Sequence, residues 1–179
     1  MVSYYVIIFL AAVLGTACVT DVRTKKIPNL LTFPAIAIAV SYHVATTGLQ
    51  GFFFSAGGMM LGIAMLIIPY LMGGMGAGDV KLMGAVGAAL GPGGVLMAAI
   101  LTGIVGGIYA IIVLIQDNTV KAIIRRWGIV LTTVLTKTQH IPVPESDSKK
   151  KQSLHYGIAI ACGTVLYIVM GIVRGSIPT

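Results

Sequence analysis

Six stretches of this chain are apolar enough to enter a lipid bilayer, and nearly all of its cations fall on one side of them. A spanning helix needs about 20 mostly apolar residues to cross roughly 30 Å of hydrocarbon. Residues 4–20, 30–46, 52–72, 80–90, 95–115 and 154–173 meet or approach that length. The fourth is short, and the Gly91-Pro92-Gly93-Gly94 run after it predicts a tight turn. If six spans alternate, Arg23, Lys25, Lys26, Lys81, Lys121, Arg125, Arg126, Lys137, Lys149, Lys150 and Lys151 share one side, and Arg174 alone takes the other. Lysine and arginine collect on the cytoplasmic side, so both termini are expected outside the cytoplasm. The first stretch lacks a basic segment before it and has Arg23, Lys25 and Lys26 after it, the pattern of a retained helix and not of a cleaved signal.

Composition agrees. Charged residues make up 9% of the chain and hydrophobic ones 57%, against about 25% charged in a soluble domain. That excludes an ordinary water-soluble enzyme, a disordered chain and a secreted disulfide scaffold. Small residues let membrane helices approach closely, so the pairs Gly58/Gly62, Gly87/Gly91 and Gly103/Gly107 are expected to be packing contacts. Cys18 and Cys162 lie in apolar runs with no metal-binding spacing and are expected to be buried, inert thiols. A net charge of +7 would suit nucleic acid, but the membrane topology already accounts for it, so the expected partner is the lipid bilayer. The expected fold is all-α: a polytopic membrane protein of six transmembrane helices and one interfacial amphipathic helix, forming a single membrane-embedded domain over residues 1–179.

The interfacial helix is expected within 116–153. There Lys121 and Arg125 share one helical face, while Ile123, Ile124, Trp127, Leu131, Val134 and Leu135 share the opposite one. From Ile141 onward the Pro-Val-Pro-Glu-Ser-Asp-Ser-Lys-Lys-Lys run predicts a polar, mobile cytoplasmic loop.

Only five acidic residues exist: Asp21, Asp79, Asp117, Glu145 and Asp147. The last three fall in the polar loop as solvated charges. Asp21 ends the first span and Asp79 stands between the third and the fourth, in apolar surroundings at one membrane face, where an ionisable residue is a functional candidate by default. Asp79 follows Gly73-Gly74-Met75-Gly76-Ala77-Gly78, a run that permits close approach of another chain. A phosphate loop would need Gly-Lys-Ser/Thr, and Asp-Val-Lys stands there instead. Two carboxylates at one depth suit aspartic-protease chemistry, in which one, ionised, takes a proton from water and the other, protonated, polarises the scissile carbonyl. His43, His140 and His155 have no second ligand near them in sequence and are read as interfacial or structural. No metal and no nucleotide cofactor is expected.

Two segments, Asp21-Val-Arg-Thr-Lys-Lys-Ile-Pro-Asn29 and Gly76-Ala-Gly-Asp-Val-Lys81, resemble the two signature segments of the prepilin peptidases. These are GxGD-type intramembrane aspartic proteases, related to archaeal preflagellin peptidases. The likeness runs on through Leu82-Met-Gly-Ala-Val-Gly-Ala-Ala-Leu-Gly91. It returns at His155-Tyr-Gly-Ile-Ala-Ile-Ala-Cys-Gly163, where His155 stands in place of the usual proline. The resemblance implies that Asp21 and Asp79 are the catalytic pair. It implies a prepilin or pseudopilin precursor as substrate, its short basic leader cut at the cytoplasmic face of the inner membrane, before an apolar helix. The larger members carry a cytoplasmic domain with two Cys-x-x-Cys pairs, which is absent here, so the chain looks like the short form used for Flp or tight-adherence pili, with the archaeal branch left open.

Around the pair, Pro28 is expected to fix a backbone turn, Asn29 to cap the second helix and Ile27 to staple it. Arg23 and Lys81 would either hold the aspartates ionised or meet lipid phosphates, and Gly76 and Gly78 complete the second signature. The rival reading is a proton- or cation-coupled membrane transporter using the two aspartates as a relay, although such relays normally lie near the bilayer midplane. A third is a non-catalytic assembly scaffold. The topology is testable: a thiol-reactive probe applied from outside should label a Gly48→Cys variant and miss Ser148→Cys, and the reverse pattern would overturn the orientation.

Overall fold

The computed structural model describes residues 3–72, 74–116 and 156–175. Five helical elements account for nearly all of them: α1 Tyr4–Thr24, α2 Asn29–Thr47, α3 Leu49–Leu71, α4 Ala77–Gln116 and α5 Tyr156–Val173. No strand occurs among the described residues. All five elements are long and apolar enough to cross a membrane. Large apolar side chains such as Tyr5, Leu30, Phe53 and Leu71 stand on the outside, as expected of a protein whose solvent is lipid. The interfacial helix and loop expected within 116–153 lie outside the described residues, as do Asp117, Glu145, Asp147, His140 and His155. The chain divides into two compact units, Met1–Gly106 with Ser153–Thr179, and Gly107–Gln152. The core and both candidate aspartates belong to the first.

Helical periodicity builds that core. On α1 the buried positions are Val6, Leu10, Val13, Leu14 and Ala17, spaced to share one face. On α3 the buried face consists only of Gly51, Ser55, Gly58 and Gly62, and such small residues admit a neighbouring helix to backbone contact. A Cβ at Gly58 would strike the carbonyl oxygen of Gly87, and a Cβ at Gly87 would strike the carbonyl oxygen of Gly58. The glycine pairs thus act as expected here. Gly103 does not: no described atom lies within 4 Å of where its Cβ would stand. The cysteines also differ from expectation, for Cys18 is half-buried and Cys162 exposed. A thiol on an apolar helix face costs little in lipid, so an apolar run did not require burial.

The turn predicted at 91–94 contracts to one residue. Gly91 has φ 73° and ψ −179°, which interrupts α4, and the Phe54 ring fills the space a Cβ would take. Residues 83 and 95 would be about 18 Å apart along a straight helix. Yet a Cβ at Gly62 would lie 2.5 Å from the Met83 carbonyl oxygen and 3.1 Å from Val95 Cγ2. The chain therefore doubles back at Gly91. Pro92 has no N–H for the Ala88 carbonyl, and Ser55 Oγ donates to that oxygen at 2.7 Å instead. The next carbonyl, of Ala89, accepts from His43 Nε2 at 3.0 Å, so Nε2 carries a proton. His43 packs its ring beside Tyr42 and Phe54.

Gly58→Ala and Gly87→Ala should each lower stability by about 1–3 kcal/mol through overpacking. Gly103→Ala should be neutral or stabilising, since alanine is the better helix former. Thermal unfolding midpoints in detergent check this ordering, and equal midpoints for all three would contradict the close helix crossing.

Candidate active site

The two aspartates continue the apolar stripes of their helices. Asp21 lies one turn beyond Ala17 on the buried face of α1 and is 6% exposed. Asp79 stands one turn before Met83, which Val86 and Leu90 follow along the buried face of α4, and is 7% exposed. Each carboxylate is thus placed inward by the period that places the core, at the point where the stripe stops.

Backbone groups then fix them. Gly76 N–H donates to Asp79 Oδ2 at 3.0 Å, and Asp79 N–H donates to the Gly76 carbonyl at 3.1 Å. That reciprocal pair is the arrangement of a capping box at the start of α4. Gly157 N–H, from α5, donates to Asp21 Oδ2 at 3.1 Å. Both carboxylates line one cavity of about 380 Å³ with Lys25, Lys26, Ile27, Gly76, Ala77 and Gly78. Among the described residues no group of three His, Cys, Asp or Glu side chains converges to hold a metal.

The two signature segments pack on each other. A Cβ at Gly78 would lie 3.0 Å from Ile27 Cβ and 3.1 Å from the Ile27 carbonyl oxygen, so only glycine admits the buried Ile27 this closely. Lys25 enables the approach. It closes α1 in the left-handed region, φ 53°, with its N–H donating to the Asp21 carbonyl at 2.9 Å, and the chain reverses there toward Ile27 and Pro28.

Three expectations need correcting. Asn29 does not cap α2: it is the first residue of that helix, Pro28 holds the cap position, and no side chain caps it. Pro28 instead supplies the extended entry, φ −70° and ψ 143°. The Asn29 side chain is engaged elsewhere, its Oδ1 accepting from Lys81 Nζ at 2.8 Å. Lys81 thus meets neither destination expected for it; its ammonium bonds Asn29 and sits 5.0 Å from the centre of the Phe33 ring, a cation–π geometry. Arg23 is exposed in the last turn of α1, away from the cavity lining, where a cation complements the helix dipole. Ile27 packs on Gly78 across the fold, whatever it adds to the start of α2. Lys25 and Lys26, read only as topology signals, prove to line the cavity, and Gly157 was overlooked as a partner of Asp21. A glycine's only polar side is its backbone, so nothing but its place in the third resembling segment pointed to it.

The model of the type IV leader peptidase family matches residues 8–111, a stretch that contains both aspartates and both segments just described. No curated protein and no solved structure gives a match.

The Lys81–Asn29 contact is testable as a pair. Lys81→Met and Asn29→Ala should each cost about 0.5–1.5 kcal/mol, and the double variant should cost less than the sum, because both remove one hydrogen bond. Thermal midpoints that add in the double variant would mean the two side chains are not coupled.

Proposed function

The chain belongs to the type IV leader peptidase family, hence to the membrane peptidases, and from that premise we propose that Asp21 and Asp79 are its catalytic pair. The observation that carries the proposal is the shared cavity: two carboxylates, 58 positions apart in sequence, are buried at one end of an apolar bundle and line the same space. One of them, ionised, accepts a proton from the attacking water. The other, protonated, donates to the scissile carbonyl as the tetrahedral centre forms. A proton-coupled relay would call for acids near the bilayer midplane, whereas these close α1 and open α4.

The substrate proposed is a prepilin or pseudopilin precursor, whose short basic leader is removed just before an apolar helix. Cleavage takes place at the cytoplasmic face of the inner membrane, with the bacterial Flp-type form and the archaeal branch both compatible with the signatures. The topology proposed is six passes with both termini outside, the two arms of α4 crossing separately. It is supported by the reversal at Gly91 and by the grouping of cations. Residues 1–179 are read as one peptidase domain. Gly76 and Gly78 give the backbone access that Asp79 and Ile27 need, and Lys81, Asn29 and Pro28 hold the start of α2 against α4; Arg23 serves topology.

Asp21→Asn and Asp79→Asn should each reduce cleavage of a purified precursor at least about a thousandfold, and the double variant should lose little more, since a dyad acts as a unit. Both variants should remain in the membrane, because asparagine keeps an acceptor oxygen for the backbone donor. Asp117→Asn, Glu145→Gln and Asp147→Asn should keep most activity. Full activity in either motif variant would remove the assignment.

A further inference from the structure

The hydrogen bond from α5 to Asp21 joins parts of the chain 136 residues apart. It comes from the first turn of α5, which carries no acidic residue of its own. N–H groups in a first helical turn have no acceptor within the helix, and the helix dipole favours negative charge there. Asp21 Oδ2 supplies both at 3.1 Å from the Gly157 nitrogen. The contact is seated from both sides: the Cys18 thiol, one turn before Asp21 on α1, lies 4.0 Å from the Gly157 carbonyl oxygen. One turn of α1 thereby brackets one peptide unit of α5.

Glycine is what permits this. A Cβ at 157 would lie 2.8 Å from Asp21 Oδ2 and 3.2 Å from both Cβ and Cγ of Asp21. The oxygen alone might swing aside, but the aspartate Cβ belongs to the α1 framework and moves only with the helix. Alanine at 157 must therefore displace the carboxylate or part the two helices. Asp79, in contrast, takes its backbone donor from Gly76 three residues away, so its aim is local to α4. Asp21 depends on a separate helix.

We propose that Gly157 is a positioning residue, its backbone N–H aiming the Asp21 carboxylate into the cavity, so that α5 is a working part of the site although the family match ends before it. This rests on the reading of Asp21 as one of the catalytic pair. An effect of carboxylate aim falls on turnover more than on substrate affinity, because reacting groups tolerate little displacement.

The experiment compares variants of the full chain in detergent, with a purified precursor carrying a short basic leader and an apolar N-terminal helix. Gly157→Ala should lower kcat roughly tenfold to a hundredfold with KM within about twofold of the parent. Gly163→Ala is the structural control on the same helix, since its Cβ would strike Thr102 and no carboxylate. It should lower the thermal midpoint while leaving kcat per folded molecule unchanged. If Gly157→Ala does not fold, glycolate incorporated at 157 replaces the amide by an ester, deleting the N–H while adding no side chain. It should reproduce the loss in kcat. An ester-bearing chain with parental kcat, alongside an inactive Asp21→Asn, would overturn the positioning role alone. An active Asp21→Asn would instead remove the reading on which it rests.

Discussion

A helix that ends inside an apolar bundle leaves N–H or carbonyl groups with no water to take them, and each such group costs several kcal/mol in hydrocarbon if left alone. This protein meets that demand with side chains at both ends of its bundle. Where α4 breaks, Ser55 and His43 serve the carbonyls of Ala88 and Ala89. At the other end two carboxylates serve the N–H groups of Gly76 and Gly157. The groups proposed to do chemistry are therefore also the groups that finish helices. A cap reading and a catalytic reading of the aspartates are not rivals, because the same hydrogen bond that satisfies a helix end gives the carboxylate its direction.

Close packing makes those bonds reachable. Gly58 against Gly87 brings α3 onto α4 at backbone distance, Gly78 does the same for Ile27, and Gly157 for Asp21. In each case a methyl group would open the contact by more than the slack in a hydrogen bond near 3 Å. Glycine elsewhere in the chain has no such task, as Gly103 illustrates. Small residues in a membrane helix are thus permissive in general and obligatory only where a polar group waits on the other side.

How much of this was legible in the sequence follows from the range of each interaction. Hydropathy and the one-sided cations are properties of the chain itself, so the apolar elements and the inward face of both aspartates could be read directly. Gly91-Pro92 announced a break, because proline and glycine act on their own backbone. Asn29 was misassigned as a cap because its partner, Lys81, lies 52 residues on, and a short polar residue after proline looks the same whether it caps or reaches across. Gly157 left no local sign of its bond to Asp21. Lys25 and Lys26 were visible as charges, but their place on the cavity depends on the reversal after α1. Cys162 was expected inside because an apolar run does not say which face meets lipid.

The charges around the cavity bear on how a substrate would be chosen. Asp21, Asp79, Lys25 and Lys26 all line it. A pair that activates water while donating to a carbonyl shares one proton, and with it these four groups sum to a single positive charge. A basic leader gains no attraction from such a lip. On the proposed reading, selection then falls on the apolar segment that follows the leader. Lying in the same bilayer as α1 to α5, that segment brings its scissile bond to a fixed depth with no search in three dimensions, which converts part of the encounter into prior placement. The depth at which it must stop is set by where the stripes of α1 and α4 give way from Ala17 to Asp21 and from Met83 to Asp79. The same periodicity that buries the core also sets the level of the cut.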